Sequence, residues 1–248
     1  MGYFFKILSY PISVFYYIVF ALLLVIFHPI QWLCLKIGGY NAHRISVAIL
    51  NLGLVRALHI LGTNVSFKIT SPLPENTPII FVANHQSLND IPAMIWFLRA
   101  HHPKFVSKKE LGKGIPSVSF NLKYGGSALI DRKNSAHALK TLKKFGKYIE
   151  KNNYSAVIFP EGTRSRGGVP KRFSTNGLKT MLKHAPSAVL VPITVNNSYK
   201  FLKYKGFPML LGVHLQFKVH APVAPQDKEI DTVLEEVEFT IKRDIIQS

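Results

Sequence analysis

The chain begins with a long apolar segment that is suited to contact with a membrane. No side chain from 12 to 27 carries a formal charge, and apolar residues dominate the wider stretch 11–35, PISVFYYIVFALLLVIFHPIQWLCL. A membrane-spanning helix needs about 20 predominantly apolar residues. This stretch reaches that length only if His28, Pro29 and Gln31 are included. The pattern is therefore consistent with a full span and also with a shallow hairpin in one leaflet.

A cleaved signal peptide is the competing interpretation of this segment. Signal cleavage needs small residues in an A-x-A-like pattern. No such pattern follows Leu24, and large side chains continue at Phe27, Trp32 and Leu33. Aromatic residues also lie near the ends of the segment, as they do at membrane–water interfaces: Tyr10, Tyr16, Tyr17 and Trp32. The segment is therefore predicted to be an uncleaved membrane anchor.

A second apolar segment, 45–61, has a helical pattern. Its sequence ISVAILNLGLVRALHIL places apolar side chains at steps of three and four residues: Ile45, Ile49, Leu52, Val55 and Leu58. Such a helix packs on a globular domain or lies in the bilayer interface, and Gly62 marks its predicted end. We therefore predict two domains, membrane-anchoring helices over 1–62 and a globular domain over 63–248.

In the rest of the chain, short apolar runs alternate with helical patterns. Strands are predicted at 65–69, 78–83, 104–107, 127–130, 155–159, 188–195 and 213–219. Helices are predicted at 90–99, 135–151 and 176–183, and from 231 toward 246. Strands that are separated by helices indicate an α/β fold, with a mixed, mainly parallel sheet flanked by helices.

The charge balance points to an anionic partner. The 248 residues include 31 Lys or Arg and 13 Asp or Glu, which gives a formal net charge of +18. Such a chain seeks nucleic acid or an anionic membrane surface. The apolar N-terminal segment favours the membrane, and no nucleic-acid-binding module is recognisable. We therefore expect no nucleic-acid partner, and we expect the basic globular domain to lie on the cytoplasmic side of the inner membrane.

The first chemical motif, NHQSLND at 84–90, follows one predicted strand and precedes a helix. Catalytic groups in α/β proteins tend to lie beyond the carboxyl ends of strands. Across a loop-to-helix turn, Asp90 can reach His85, fix its tautomer and leave the other imidazole nitrogen to remove a proton from a hydroxyl. The alternative is a capping Asp beside an ordinary loop His. Ser87 is a weaker candidate for a nucleophile, because no G-x-S-x-G elbow surrounds it.

The second motif, FPEGTRSR at 159–166, also leaves a predicted strand. Gly162 allows a tight turn, and Glu161 can orient an arginine or the loop. The donors that follow suit phosphate oxygens, because arginine binds them in bidentate fashion: Thr163, Arg164, Ser165 and Arg166. The alternative is an exposed basic turn.

Two further segments flank predicted strands. One is SKKEL at 107–111 together with GSALIDR at 126–132, which taken alone is a pair of solvated charge clusters. The other is VPI at 191–193, which suits core packing and an active-site wall equally well. No cluster of His, Asp or Glu has the spacing of metal ligands, and the single cysteine, Cys34, excludes an intrachain disulfide and a Cys-rich zinc site.

In order and spacing, these four segments resemble the sequence blocks of the glycerolipid acyltransferase superfamily, the lysophosphatidic-acid acyltransferases in particular. The resemblance covers roughly 78–195 and includes an H-x4-D block, the Lys-x-Glu-Leu and Ile-Asp-Arg segments, an intact F-P-E-G-T-R-S block and a V-P-I block. One departure lies after the third block, where relatives often carry Phe, a basic residue and then Gly-Ala. This chain has FSTNGL at 173–178, so its acceptor or acyl-chain preference is expected to differ.

The resemblance implies specific roles for the residues of these blocks. His85 would be the general base and Asp90 its orienting partner, while Arg164 and Arg132 would bind the acceptor's phosphate together with Lys108. Glu161 and Gly162 would shape the third block, and the remaining substrate-binding candidates are Thr163 and Ser165. The globular domain, 63–248, would be the catalytic domain.

The implied reaction transfers an acyl group from a thioester, acyl-CoA or acyl carrier protein, to the free sn-2 hydroxyl of lysophosphatidic acid, which gives phosphatidic acid. Neither a metal nor another cofactor is implied, and membrane lipids are the expected partners. The alternatives are an acyltransferase for another lysolipid such as a lyso-ornithine lipid, one for glycerol 3-phosphate, or a non-catalytic membrane lipid-binding protein.

Overall fold

A seven-stranded sheet forms the centre of the computed structural model, which describes residues 3–165, 167–226 and 228–246. Within these residues the strands run in the order β1-β7-β6-β2-β5-β3-β4. Neighbouring strands are parallel except for the antiparallel pair β6–β7, so the predicted mixed, mainly parallel sheet is confirmed. The strands are β1 Asn64–Ile69, β2 Ile79–Ala83, β3 Pro103–Lys108, β4 Ala128–Ile130, β5 Ser155–Ile158, β6 Val189–Asn196 and β7 His214–Val219.

Six α-helices accompany the sheet in the described part of the chain: α1 Tyr3–Ala57, α2 Asp90–Phe97, α3 Val118–Tyr124, α4 Ser135–Asn152, α5 Thr175–His184 and α6 Ile230–Arg243. Five of them overlap segments for which the sequence predicts a helix or a membrane anchor. The exception is α3, whose sequence VSFNLKY alternates apolar and polar residues as a strand would. A contact with α1 fixes the start of α3, because Ser117 donates its hydroxyl to the Leu24 carbonyl at 2.6 Å.

The central strand β2 explains how the helices divide into two layers. All five of its residues are buried, and successive side chains of a strand point to opposite faces. Phe81 packs in a core with α2 and the second half of α1, whereas Ile80 and Val82 pack in a core with α4, α5 and α6. A strand that is covered on both faces is apolar throughout, as parallel strands usually are.

The long helix α1 is a hairpin of two arms. Gly39 has φ 67° and ψ −164°, a left-handed conformation that breaks the helix into arm 1 (residues 3–38) and arm 2 (residues 40–57). The arms pack on each other through Leu24, Leu50 and Leu54. A Cβ atom at Gly53 would lie 3.2 Å from Cδ2 of Leu23, so this glycine allows the arms to approach closely.

Arm 1 presents one face to the rest of the protein and leaves its other face exposed. It is long and apolar enough to cross a membrane, and only 11% of its most apolar window is buried. Tyr16 on its inner face is 2% exposed and donates its hydroxyl to Asn89 at 3.1 Å. Its outer face carries a continuous set of exposed apolar side chains, which includes Phe4, Ile7, Val14, Phe15, Ile18, Leu22, Val25 and Ile26.

Gly62 ends the helical region as predicted, with φ 65° after the short 3-10 helix Leu58–Leu61. The predicted boundary between the two domains, at residue 62, coincides with this turn. Leu58 and Leu61 on its N-terminal side pack in the same core as β2, so the division into two domains stays a prediction. Arg166, a predicted donor of the second motif, lies outside the described residues.

Candidate active site

The H-x4-D motif forms the loop that joins β2 to α2. Asn84 fixes the carboxyl end of β2 to β6, because its side chain donates to the Val195 carbonyl at 2.8 Å and accepts the Val195 N–H at 2.7 Å. The chain then turns so that Nδ1 of His85 lies 2.9 Å from Oδ2 of Asp90. The five-residue spacing thus brings the two side chains together across a loop, as the motif predicts.

Asp90 is a buried and firmly held carboxylate. It is fully buried at the first residue of α2, and Oδ2 also accepts the backbone N–H groups of Gln86 at 2.7 Å and Ser87 at 3.0 Å. Three donors therefore converge on one oxygen, which fixes both the loop and the carboxylate. Within the described residues, the other oxygen, Oδ1, is buried with no hydrogen-bond partner.

The His85 imidazole has one nitrogen engaged and one available. The ring stacks on Phe159, with centroids 4.2 Å apart and planes 20° from parallel, and 14% of the side chain is exposed. An ionised Asp90 accepts a hydrogen bond from the Nδ1–H group, so Nε2 carries the lone pair of the neutral ring. No hydrogen bond among the described residues engages Nε2. The arrangement can therefore abstract a proton from a bound hydroxyl.

The backbone of His85 is clamped by the second motif. Glu161 accepts the His85 N–H at 2.9 Å through Oε1 and the Lys171 N–H at 2.9 Å through Oε2. On the other side, Ser165 donates both its N–H, at 2.7 Å, and its hydroxyl, at 3.1 Å, to the His85 carbonyl. Glu161 and Ser165 thus act on the histidine's main chain, a role that the sequence pattern did not predict for either residue.

Burial raises the pKa of the Glu161 carboxyl above its usual value, and the two backbone N–H groups that it accepts oppose that rise. A carboxylate in this position accepts two hydrogen bonds at once, which a protonated carboxyl does less well. The ionised form is therefore the one that holds the His85 backbone.

Gly162 and Arg132 connect the second motif to β4. Gly162 has φ 68° and donates its N–H to the Phe159 carbonyl at 3.0 Å, which closes a tight turn. Its carbonyl accepts a hydrogen bond from the Arg132 guanidinium. Burial lowers the pKa of Arg132, and Glu110 opposes that effect. Arg132 thus contacts the second motif, with one of its nitrogens bound to the loop itself.

The remaining predicted residues occupy the rim of the site. Thr163 and Arg164 are exposed and line a groove of about 970 Å³. Lys108 is exposed at the carboxyl end of β3, and no hydrogen bond or ion pair among the described residues joins it to the other predicted residues. The structure therefore brings together His85, Asp90, Glu161, Gly162, Ser165 and Arg132 by direct contacts, whereas Thr163, Arg164 and Lys108 are exposed.

The V-P-I segment and Ser87, whose roles the sequence left open, are both buried. Val191 and Ile193 are fully buried in β6, where Pro192 pairs in register with Val82, so V-P-I is core packing. Ser87 is 1% exposed and its hydroxyl bonds that of Ser198 at 2.5 Å. This bond makes Ser87 a link between the H-x4-D loop and the short helix Ser198–Leu202.

An apolar cavity of about 330 Å³ adjoins the H-x4-D loop. Leu88 and Ile91 form the end beside the motif, and Val47 lies where the cavity meets a smaller one beside Lys104. Both arms of α1, α2, β3 and α3 contribute to its wall: Phe20, Leu24, Leu50, Leu54, Ile95, Phe105 and Leu122. Their apolar character is visible in the sequence, but only the packing of α1 and α3 on the domain creates the cavity.

The described residues hold no group of three or more His, Cys, Asp or Glu side chains placed to bind a metal ion. The atypical segment after the second motif lies at the start of α5. Phe173 is 6% exposed and donates its N–H to Glu238 at 3.3 Å, so this segment contributes to the core between α5 and α6.

Comparison with known proteins places this geometry in context. A family model described as Acyltransferase matches residues 64–196, more than half of the chain. A 1-acyl-sn-glycerol-3-phosphate acyltransferase from Helicobacter pylori strain J99 is 36% identical over 135 residues, which cover 51% of this chain and 54% of that protein. Another from Cocos nucifera is 32% identical over 143 residues, which cover 52% of this chain and 44% of that protein.

The solved structure of the 1-acyl-sn-glycerophosphate (LPA) acyltransferase PlsC from Thermotoga maritima has the same fold. The TM-score is 0.79 at 24% identity, and the match covers 96% of this chain and 95% of that one. The chain spans about half the length of the two curated relatives. The family match over more than half of the chain nevertheless shows that this protein belongs to the acyltransferase family.

Proposed function

We propose that this protein transfers an acyl group from a thioester to the free sn-2 hydroxyl of lysophosphatidic acid. The observation that carries the proposal is the 2.9 Å bond between His85 and Asp90, which leaves Nε2 available in a loop that adjoins an apolar cavity. The names of the curated relatives support the choice of acceptor. The proposal covers both acyl-CoA and acyl carrier protein as the thioester that donates the acyl group.

The proposed reaction is direct transfer, with His85 as general base. Nε2 takes the acceptor's proton as the hydroxyl oxygen attacks the thioester carbonyl, and a tetrahedral intermediate forms. The intermediate collapses, the carbon–sulfur bond breaks, and the imidazolium returns the proton to the leaving thiolate. Atoms and charge balance without a metal, another cofactor or a covalent acyl-enzyme. General-base assistance of this kind contributes about 10²–10⁴-fold.

Charge on the acceptor would be recognised by the rim of the site. Arg164 is exposed next to the His85 clamp, and Arg132 retains donors beyond the one bound to Gly162. Guanidinium groups bind phosphate oxygens in bidentate fashion. We assign the acceptor's phosphate to Arg164 and Arg132, with Lys108 as an outer contact and Thr163 as a hydroxyl donor. Backbone N–H groups of the two motifs would stabilise the oxyanion.

The donor's acyl chain would occupy the apolar cavity. Leu88 of the H-x4-D loop and the nearby Ile91 line the cavity, and most of its wall is apolar. Each buried methylene contributes about 0.8 kcal/mol to binding. A chain held there would bring its thioester carbonyl to His85, so the wall residues would influence which chain lengths react.

The exposed apolar face of arm 1 would hold the protein on a membrane. Residues on the inner face of arm 1 are bonded to the domain, as Tyr16 is to Asn89. The arm therefore lies along the domain, which supports an anchor that enters one leaflet. We expect the basic domain on the cytoplasmic side, where anionic lipids attract it.

An acceptor and donor panel tests the function. Purified protein in vesicles would receive radiolabelled acyl-CoA or acyl carrier protein, with lysophosphatidic acid, a lyso-ornithine lipid or glycerol 3-phosphate. We expect label in phosphatidic acid, and we expect the His85→Ala variant to fold and bind vesicles without making it. Label only in another product would replace the acceptor, and full activity of His85→Ala would refute the proposed mechanism.

A further inference from the structure

A large groove lies between the second motif and a loop region that belongs to none of the motifs. It has a volume of about 970 Å³ and lies between a first wall, which includes Thr163, Arg164, Ser165 and Gly167, and a second wall built by 199–211. The second wall includes the short helix Ser198–Leu202 and the turns that follow it. The groove is lined by cationic and apolar side chains, which include Arg164, Lys200, Lys203, Lys205, Leu202 and Leu211.

The inner end of the groove lies at the His85 loop, because both walls are bonded to that loop. On one side Ser165 donates to the His85 carbonyl at 2.7 Å. On the other side the Ser198 hydroxyl bonds Ser87 at 2.5 Å, and Gln86 accepts the Tyr199 N–H at 3.4 Å. The inner end of the groove therefore adjoins the loop that carries His85.

The second wall of the groove packs on arm 1 of α1. The Tyr17 hydroxyl donates to the Gly206 carbonyl at 2.6 Å, and the Ser13 hydroxyl accepts the Met209 N–H at 2.8 Å. Tyr10 stacks edge-on against Phe207, with centroids 5.6 Å apart. The second wall thus joins the His85 loop to the apolar arm.

The chemistry of the walls is both cationic and apolar. The described residues that line the groove include no carboxylate, and the described salt bridges leave Lys200, Lys203 and Lys205 unpaired with any acid. Leu202 and Leu211 stand beside these lysines. A free nucleotide would make no use of the leucines, and an acidic protein would need a broad surface. A phosphate-bearing lipid matches both features.

We propose that this groove is the port through which the anionic lysolipid acceptor leaves the membrane and brings its phosphate to the catalytic loop. Lys200, Lys203 and Lys205 attract and pass on the phosphate, and Arg164 receives it at the inner end. The leucines contact the lipid's first methylenes. This role rests on the proposed function, because it names the path of that reaction's acceptor.

The test removes the three charges and keeps polar side chains. The variant is Lys200→Gln/Lys203→Gln/Lys205→Gln, and the matched control is Lys140→Gln/Lys144→Gln/Lys147→Gln on the exposed face of α4. With lysophosphatidic acid in neutral vesicles, we expect the acceptor KM to rise about tenfold or more in the groove variant only. The kcat and the donor KM should stay within about twofold, since lost uniform binding raises KM alone.

A binding measurement separates this inference from the reaction itself. The inactive His85→Ala protein would be titrated with neutral vesicles that contain lysophosphatidic acid or zwitterionic lysophosphatidylcholine. We expect preference for the phosphate monoester, and we expect the three groove substitutions to abolish it. An unchanged acceptor KM, a raised donor KM, or an equal loss in the control variant would overturn the port. Wild-type protein that makes no phosphatidic acid would instead refute the proposed function.

Discussion

Glu161 accepts the backbone N–H of His85 at 2.9 Å, so the second motif holds the main chain of the first. The same carboxylate accepts the Lys171 N–H with its other oxygen. His85 is thereby fixed at its backbone by Glu161 and at its ring by Asp90. The orientation of His85 therefore depends on Glu161, which holds its backbone, as well as on Asp90, which holds its ring.

We expect Glu161→Gln to lower kcat by about ten- to a hundredfold. An amide has only one accepting oxygen, so its NH2 group would face one of the two backbone N–H donors, and small misplacements of a base cost large factors in rate. Steady-state kinetics would measure the change, with Glu235→Gln on the exposed face of α6 as the control. A fall in melting temperature without a fall in kcat would contradict this role.

Asp90→Asn should preserve the loop and still lower kcat by about 10²–10⁴-fold. The amide oxygen can accept the Gln86 and Ser87 N–H groups, but a neutral partner no longer stabilises an imidazolium. Because His85 and Asp90 act as a pair, adding His85→Ala to this variant should cost little more. Additive losses in the double variant would show that the two residues work independently.

Val47→Phe should shift donor preference toward shorter acyl chains. Val47 borders the apolar cavity where it meets the smaller cavity beside Lys104, so a larger side chain there shortens the cavity. The measurement is kcat/KM for a series of saturated acyl thioesters. Ile49→Phe is the control, since Ile49 is 49% exposed on the same arm. An unchanged chain-length profile would exclude the cavity as the acyl site.

Lys104 gives the folded protein a pH dependence that can be measured. Its side chain is 4% exposed between the rings of Tyr40 and Tyr154, and burial lowers its pKa from 10.5 to about 8. Between these values the unfolded chain binds more protons, so the free energy of unfolding rises with pH across pH 8 to 10.5. The rise amounts to at most about 3 kcal/mol.

Thermal unfolding in detergent at several pH values would detect this contribution. Lys104→Met should remove the rise, whereas Lys140→Met on the exposed face of α4 should retain it. A rise of equal size in the Lys104→Met variant would assign the effect to another group.

The contact between His85 and Asp90 could be predicted from the sequence, because Asp90 can reach His85 across a loop-to-helix turn and the motif resembles the H-x4-D block of the acyltransferases. The strands were predictable for a similar reason, since buried parallel strands are continuous apolar runs. The Glu161–His85 bond could not be predicted, because it depends on β5 lying beside β2. The two strands are far apart in the chain, and no local pattern encodes their pairing.

Tertiary packing also decides the features that sequence patterns missed. The alternating residues of α3 form a helix because Ser117 is bonded to Leu24 and His28 of arm 1. The break of α1 at Gly39 depends on a single left-handed residue inside an otherwise helical pattern. The basic groove is assembled from segments that each look like ordinary surface loops in the sequence. Only the folded structure shows that their lysine side chains line one groove.

The bond between Tyr16 and Asn89 has a practical consequence for anyone who wishes to make a soluble version of this protein. Asn89 is the neighbour of Asp90, and Tyr16 is buried in the main core. Deleting arm 1 would remove a wall of the apolar cavity and uncover that core. Solubility would be better sought by replacing outward side chains such as Phe15 and Ile18, which are 57% and 51% exposed.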